Sequence, residues 1–210
     1  MNNPSYLSLY VILDIEYLKN SGKDPCKALI SCLKGGATCI QLRSKMMNDR
    51  DFYVAAVKMK KICSAYKVPF IINDRVDIAA LVRADGVHIG KEDLPYDAVK
   101  KIFKGIIGVS ADSVKESISM DRLRSSYIGV GPVYPTSQKD KKAIGPVLIK
   151  KISRSLSTPV VAIGGINGYN IPELKASGIR YFSFISGILG EKNILAQTKK
   201  IRQLILNKEK

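Results

Sequence analysis

The chain has 210 residues, of which 46% are hydrophobic and 25% charged, and its formal net charge is +16. This length suits one domain, and no apolar run approaches the roughly 20 residues that a membrane-spanning helix needs. We therefore expect a single domain over residues 1–210 with no membrane partner. The N-terminal residues lack the basic and apolar regions of a secretory signal, so a cytoplasmic enzyme is the default expectation.

The cysteine usage and the basic charge exclude some classes of protein. Cys26, Cys32, Cys39 and Cys63 form no closely spaced pair and the chain has one His, so we expect free thiols and no zinc site. The excess of Lys and Arg indicates either phosphorylated ligands or solvated helix faces. Nothing resembles a nucleic-acid recognition helix or an aromatic stacking platform, so a nucleic-acid partner is not expected.

Short apolar runs alternate with amphipathic segments along the whole chain. The predicted strands are Leu9–Leu13, Cys39–Leu42, Phe70–Ile72, Gly86–Ile89, Ile106–Val109, Tyr127–Val130, Val160–Ile163 and Tyr181–Ile185. Their near-continuous hydrophobicity is typical of parallel strands that are buried on both faces. The amphipathic segments, such as Phe52 to Cys63, predict crossover helices. About eight such units predict an α/β fold, a single-domain (β/α)₈ TIM barrel, with an open doubly wound sheet as the alternative.

Polar residues follow the second and third strands, where a barrel of this kind presents its active site. Alternation along a strand points Gln41, Arg43 and Lys45 to the same side. Such a set can bind a diphosphate, although a basic strand end that faces solvent is the alternative. Asn73 and Asp74 end the third strand and could bind Mg²⁺ and phosphate, or form an Asx turn that caps the next helix.

The fourth and fifth strands add further polar side chains. His88 lies within an apolar run, which favours a hydrogen-bonded core residue over a catalytic one. Glu92 or Asp93, just after the fourth strand, could share a Mg²⁺ ion with Asp74. Ser110 brings a hydroxyl to the end of the fifth strand.

The last three strands lead into segments suited to phosphate. A Gly- and Pro-rich stretch after the sixth strand runs into a polar loop over residues 136–142, which could close over a phosphorylated ligand or be a solvated surface loop. Gly164-Gly165 follow the seventh strand, and Ser186 follows the eighth. Paired glycines and a small hydroxyl at these positions are typical of the barrel phosphate site, where backbone N–H groups bind the anion.

Taken in order, these segments resemble the thiamine-phosphate synthase family over essentially the whole chain. The matching stretches are Gln41–Lys45, Ile72–Asp77, Ala84–Gly90, Glu92–Pro95, Gly108–Ala111, Tyr127–Thr136 and Ala162–Ile166, together with Leu9–Val11. The resemblance implies a TIM-barrel transferase that joins hydroxymethylpyrimidine diphosphate to thiazole phosphate and releases diphosphate. It also implies Mg²⁺ as the cofactor.

The resemblance also assigns roles to individual residues. It implies that the diphosphate is held by Arg43, Lys45 and Lys139, the catalytic cations, and by Asn73. It implies Asp74 and Asp93 as the Mg²⁺ ligands, and Gln41 and Ser110 as contacts to the pyrimidine. The thiazole phosphate is assigned to Thr136, Gly165, Ile185 and Ser186, with Ser137 and Gln138 as further substrate-binding residues.

Four positions depart from the family pattern, and a related enzymatic activity is the alternative interpretation. Ser44, Lys91, Asp112 and Gln138 stand where Glu, Gln, His and Thr are usual. The alternative is a thiazole tautomerase, which isomerises a thiazole phosphate and needs neither a diphosphate site nor a metal. The sequence does not determine the oligomeric state and is compatible with a homo-oligomer.

Overall fold

A computed structural model describes residues 4–136 and 142–207, which form a closed barrel of eight parallel strands. The strands are β1 (Leu9–Asp14), β2 (Cys39–Arg43), β3 (Phe70–Asn73), β4 (Gly86–Ile89), β5 (Ile106–Ala111), β6 (Tyr127–Val130), β7 (Val160–Ala162) and β8 (Tyr181–Phe184). Neighbours in the barrel are neighbours in the chain, and β8 closes onto β1 with Ser183 opposite Tyr10. The predicted TIM barrel is confirmed, and the doubly wound alternative was wrong.

Helices follow every strand and return the chain to the N-terminal end of the barrel. They are α1 (Ile15–Asn20), α2 (Pro25–Lys34), α3 (Asp49–Ala65), α4 (Val76–Leu81), α5 (Tyr96–Ile102), α6 (Val114–Arg122), α7 (Gly145–Ser155), α8 (Ile171–Ala176), α9 (Ser186–Leu189) and α10 (Ile194–Leu206). No helix within the described ranges is long and apolar enough to cross a membrane.

Local hydrogen bonds explain where two of these helices begin. Asn48 Oδ1 accepts from the Asp51 N–H at 2.9 Å and so caps α3. Ser113 Oγ caps α6 by accepting from the Glu116 N–H at 3.2 Å. The Glu116 carboxylate in turn accepts from the N–H of Asp112, one residue before Ser113. Arg75, at the start of α4, makes no such cap.

Two apolar layers hold the barrel together. The larger lies between strands and helices and includes Leu13 and Phe70, both fully buried. The smaller fills the barrel interior, where Leu7 of a short N-terminal 3₁₀ helix (Pro4–Leu7) packs beside Cys39 and closes the N-terminal end. The four cysteines are free thiols as expected, and Cys32, Cys39 and Cys63 are buried.

The interior side chains depend on a glycine for their packing. A Cβ atom on Gly108 would lie 2.1 Å from Cζ of Tyr127, so only glycine lets the tyrosine ring cross the barrel. Tyr127 in turn meets the Tyr10 ring edge-on at 5.7 Å between centroids. The two rings fill the barrel interior just below the C-terminal ends of the strands.

Candidate active site

A cavity of about 470 Å³ opens at the C-terminal ends of the strands. Every predicted site residue that the structure describes lines this cavity: Gln41, Arg43, Lys45, Asn73, Asp74, Asp93, Ser110, Thr136, Gly165, Ile185 and Ser186. Ser137, Gln138 and Lys139 lie outside the described residues. The barrel thus brings together side chains from strand ends that are far apart in sequence.

Two cations, one at the end of β2 and one just after it, face carboxylates at the ends of the neighbouring strands. Arg43 ends β2 and forms an ion pair with Asp14, which is almost fully buried at the end of β1. Lys45 Nζ lies 2.5 Å from Asp74 Oδ2. Gln41, Arg43 and Lys45 all reach the cavity, as alternation along the strand predicted. Arg43 is largely buried, whereas Lys45 keeps more than half of its side chain exposed.

Asp74 and Asp93 are neighbouring carboxylates on the same wall of the cavity. Asp74 has φ +62°, and its N–H donates to the His88 carbonyl at 2.8 Å, which fixes it beside β4. Asp93 accepts from the Gly90 N–H at 2.6 Å. Burial raises the pKa of Asp93, and the nearby Asp74 carboxyl raises it further. Glu92 also lines the cavity, as an exposed side chain.

These two carboxylates fit the donor set of a magnesium ion more than that of a transition metal. Within residues 4–136 and 142–207 there is no group of three or more His, Cys, Asp or Glu side chains placed to bind one ion. Mg²⁺ is commonly bound by one or two carboxylates together with waters and phosphate oxygens. Asp74 and Asp93 provide such a pair, and a cation between them would offset their mutual repulsion.

A buried hydrogen-bonded chain forms the floor of the cavity. Gln41 Nε2 donates to the Tyr10 hydroxyl, which lies 2.8 Å from the Tyr127 hydroxyl. His88 continues the chain, with Nδ1 3.0 Å from the Tyr127 hydroxyl and Nε2 2.9 Å from Ser110 Oγ. Burial raises the pKa of both tyrosines well above the usual range, so both hydroxyls stay protonated. His88 is thus hydrogen-bonded through both ring nitrogens, as expected, but it is half-buried and borders the cavity.

Removing the Tyr127 hydroxyl is expected to destabilise the fold. Tyr127→Phe deletes a buried hydrogen bond to Tyr10 and a half-buried one to His88, and should lower the free energy of unfolding by about 1–3 kcal/mol. Urea unfolding followed by circular dichroism measures the change. Tyr169→Phe is the control, because Tyr169 is 93% exposed and should change stability by less than about 0.5 kcal/mol. Equal stabilities for the two variants would contradict a stabilising chain.

Ser183 carries an unusual hydroxyl in the same interior layer. Within the described ranges, Ser183 Oγ is the one buried side-chain polar atom without a hydrogen-bond partner. Because such an oxygen has lost its hydration, Ser183→Ala should raise the free energy of unfolding by about 1 kcal/mol. Ser126→Ala provides the control, since Ser126 Oγ accepts from the Ile107 N–H at 3.0 Å and its loss should destabilise. Destabilisation by both variants would show that Ser183 makes a useful contact.

The opposite wall of the cavity is made of backbone. Gly164 and Gly165 follow β7 with φ +94° and +66°, a region that favours glycine. A Cβ atom on Gly165 would lie 2.7 Å from Tyr134 Cβ and from the Pro135 carbonyl oxygen. Asn170 Nδ2 donates to the Gly165 carbonyl at 2.9 Å and holds the turn. Ser186, the first residue of α9, lines the cavity beside this turn.

The structure also places the three described residues that depart from the family pattern. Lys91 Nζ lies 2.7 Å from Glu116 Oε1, and the Asp112 N–H donates to the other oxygen of Glu116. Ser44 Oγ donates to Glu16 Oε1. All three therefore make local contacts at the rim of the site and do not block it. Gln138 lies outside the described residues.

Sequence reasoning missed several residues near the cavity. Tyr10, Tyr127 and Ser183 lie within apolar strands and resemble core residues until the barrel closes. The available signal was that their positions alternate with those of outward-facing residues along each strand, which predicts that their side chains face the barrel interior. Asp14 and Glu16 were missed because their partners are on β2 and in the loop after it.

A closed barrel with charged and polar side chains converging on its C-terminal mouth defines the class of (β/α)₈-barrel enzymes. Comparisons with known proteins define the group within that class. The family model described as thiamine monophosphate synthase matches residues 9–188. A thiamine-phosphate synthase of Ruminiclostridium cellulolyticum is 43% identical over 204 residues and covers 96% of each chain. One from Clostridium acetobutylicum is 44% identical over 197 residues, or 92% of each chain.

A solved structure leads to the same family. The thiamine phosphate pyrophosphorylase of Pyrococcus furiosus superposes with a TM-score of 0.90 at 35% identity, over 97% of this chain and 98% of that one. The chain belongs to the thiamine monophosphate synthase family, a family of transferases that act on small molecules in thiamine biosynthesis. The resemblance found in the sequence is thereby confirmed.

Proposed function

We propose that the protein is a Mg²⁺-dependent thiamine-phosphate synthase that joins hydroxymethylpyrimidine diphosphate to thiazole phosphate. The proposal rests on one observation, which is that a single cavity has a wall of charged side chains and an opposite wall of backbone. Arg43, Lys45 and the carboxylate pair Asp74 and Asp93 form one wall, and the Gly164-Gly165 turn lies opposite. A diphosphate with its metal suits the first wall and a phosphate monoester suits the second.

The proposed reaction needs charge neutralisation more than it needs a protein nucleophile. The bond between the pyrimidine methylene carbon and the diphosphate oxygen breaks, and its electron pair leaves with diphosphate. The thiazole nitrogen lone pair then forms the new carbon–nitrogen bond. Arg43 and Lys45 would stabilise the charge that develops on the leaving group, a contribution that commonly reaches several kcal/mol. The shared cavity would hold the two reacting atoms in line.

The proposed metal site consists of Asp74 and Asp93. When bound, Mg²⁺ would neutralise negative charge on the diphosphate during its departure. The raised pKa of Asp93, which burial and the Asp74 carboxyl cause, supports a site built for a cation. Asn73, the last residue of β3, would contact the diphosphate, and Lys139 is proposed to do so from the loop after β6.

The remaining contacts follow from the positions of the cavity walls. Gln41 and Ser110, which the buried chain of hydroxyls and imidazole orients, would contact the pyrimidine. The thiazole phosphate would be held beside the Gly164-Gly165 turn by residues of three segments. These are Thr136, Ser137 and Gln138 after β6, Gly165 after β7, and Ile185 and Ser186 after β8.

Metal removal tests this proposal against the tautomerase alternative. After treatment with EDTA, release of diphosphate from the two substrates should stop, and graded addition of Mg²⁺ should restore it. Isomerisation of a thiazole phosphate without the pyrimidine substrate and without Mg²⁺ would favour a tautomerase instead. Undiminished diphosphate release in EDTA would contradict the assignment of Asp74 and Asp93 to a metal.

We also propose that the protein works in the cytoplasm. All four cysteines are free thiols, although Cys39 and Cys63 are both buried within the fold. Thiols of this kind persist in a reducing compartment, which supports the proposal. Fractionation of cells with an antibody to the protein tests it.

A further inference from the structure

The carboxylate of Glu16 accepts hydrogen bonds from the loop that follows β2. Its Oε1 accepts from the Ser44 hydroxyl at 2.5 Å, and its Oε2 accepts from the Lys45 N–H at 3.1 Å. Ser44 Oγ in turn accepts from the Met47 N–H at 3.1 Å. Three hydrogen bonds thus fix a short segment that has no other regular structure between β2 and α3.

The contacts of Glu16 favour its charged form. Burial opposes ionisation, but hydrogen bonds from Ser44 and from the Lys45 and Met46 N–H groups outweigh it and lower the pKa of Glu16. The carboxylate is therefore a permanent acceptor near neutral pH. Hydrogen bonds to a charged acceptor are stronger than those between neutral groups.

The end of β1, just before Glu16, also binds Arg43, the other cation of the proposed diphosphate site. Asp14, two residues before Glu16, pairs with Arg43 and caps α1 by accepting from the Tyr17 N–H at 2.9 Å. The end of β1 and the first turn of α1 therefore hold both Arg43 and Lys45. Because Lys45 is more than half exposed, its side chain has few packing contacts to direct it. Its backbone anchor decides where the ammonium group can reach.

We propose that Glu16 is a positioning residue for the diphosphate subsite, which fixes the Lys45 backbone so that its ammonium group faces Asp74. The proposal rests on the proposed function, because it takes the Arg43 and Lys45 wall as the place where diphosphate binds. Glu16 itself does not line the cavity. It is inferred to act through Ser44 and Lys45 without touching the substrate.

Glu16→Gln tests the proposal with little change in shape. A glutamine oxygen can still accept from Ser44, but its NH₂ group cannot accept from the Lys45 N–H. We expect the KM for the pyrimidine diphosphate to rise about tenfold, as the loss of one charged hydrogen bond implies. The KM for the thiazole phosphate should stay close to the wild-type value, and the melting temperature should fall by only a few degrees. Glu191→Gln is the control, since Glu191 is exposed and outside the cavity.

A binding measurement separates this inference from the proposed function. Calorimetry with inorganic diphosphate and Mg²⁺ needs no turnover, and the dissociation constant of Glu16→Gln should be about tenfold above that of the wild type. A wild type that binds diphosphate but forms no product would overturn the proposed function alone. Equal affinities for wild type and Glu16→Gln, or an equal rise in both KM values, would overturn the role of Glu16.

Discussion

Asp74→Asn is expected to lower kcat/KM of the coupling reaction by about a hundredfold to a thousandfold, because it removes one of the two carboxylates proposed for Mg²⁺. Asparagine is the appropriate replacement at this position. Asp74 has φ +62°, a left-handed conformation that Asn tolerates and Ala does not. The loss can therefore be assigned to the charge and not to the backbone. Initial rates at saturating Mg²⁺ measure it.

A matched exposed carboxylate provides the control for this result. Asp97→Asn, at the start of α5, makes the same chemical change on an exposed side chain that does not line the cavity. Its kcat/KM should stay within about twofold of the wild type, because an exposed charge far from the substrate contributes little. Comparable rates for Asp74→Asn and Asp97→Asn would remove Asp74 from the metal site.

Gly165→Ala is expected to raise the KM for the thiazole phosphate by about tenfold to a hundredfold. The new methyl group would lie 2.7 Å from Tyr134 Cβ and from the Pro135 carbonyl, so the backbone on one side must move. Gly165 lines the wall where the thiazole phosphate is proposed to bind, and Pro135 directly precedes Thr136, which also lines the cavity. Overpacking of this kind also destabilises a fold by about 1–3 kcal/mol.

Gly178→Ala separates crowding from backbone strain. Gly178 has φ +89°, but a Cβ atom there would have no heavy atom within 4 Å apart from its chain neighbours. It should therefore lose about 1–2 kcal/mol of stability through conformation alone, with both KM values unchanged. If Gly178→Ala impaired substrate binding as much as Gly165→Ala, general destabilisation and not the local wall would explain the effect.

The barrel could be predicted from sequence because its strands are short apolar runs separated by amphipathic helices. Each predicted strand overlaps an observed one, and the differences lie at the C-terminal ends. β1 continues to Asp14 and β2 to Arg43, since these two residues still pair in the ladder although their side chains are charged. β7 ends at Ala162, one residue earlier than predicted, where the chain turns towards the paired glycines.

The contacts behind the cavity could not be predicted, because they depend on closure of the barrel. Tyr10 and Tyr127 are 117 positions apart, and each alone is an aromatic residue in an apolar strand. Glu16, in the first turn of α1, meets Ser44 across 28 positions, and neither residue lies in a predicted strand. Strand alternation predicts which side chains face inward, but not which of them meet across the interior.

The most direct test of the account is a coupling assay with the purified protein, pyrimidine diphosphate, thiazole phosphate and Mg²⁺, in which product and diphosphate are both quantified. We predict one diphosphate released for each thiamine phosphate formed, with no release when either the thiazole phosphate or Mg²⁺ is omitted. A folded protein that forms no thiamine phosphate under these conditions, or that releases diphosphate without joining the two rings, would contradict the account.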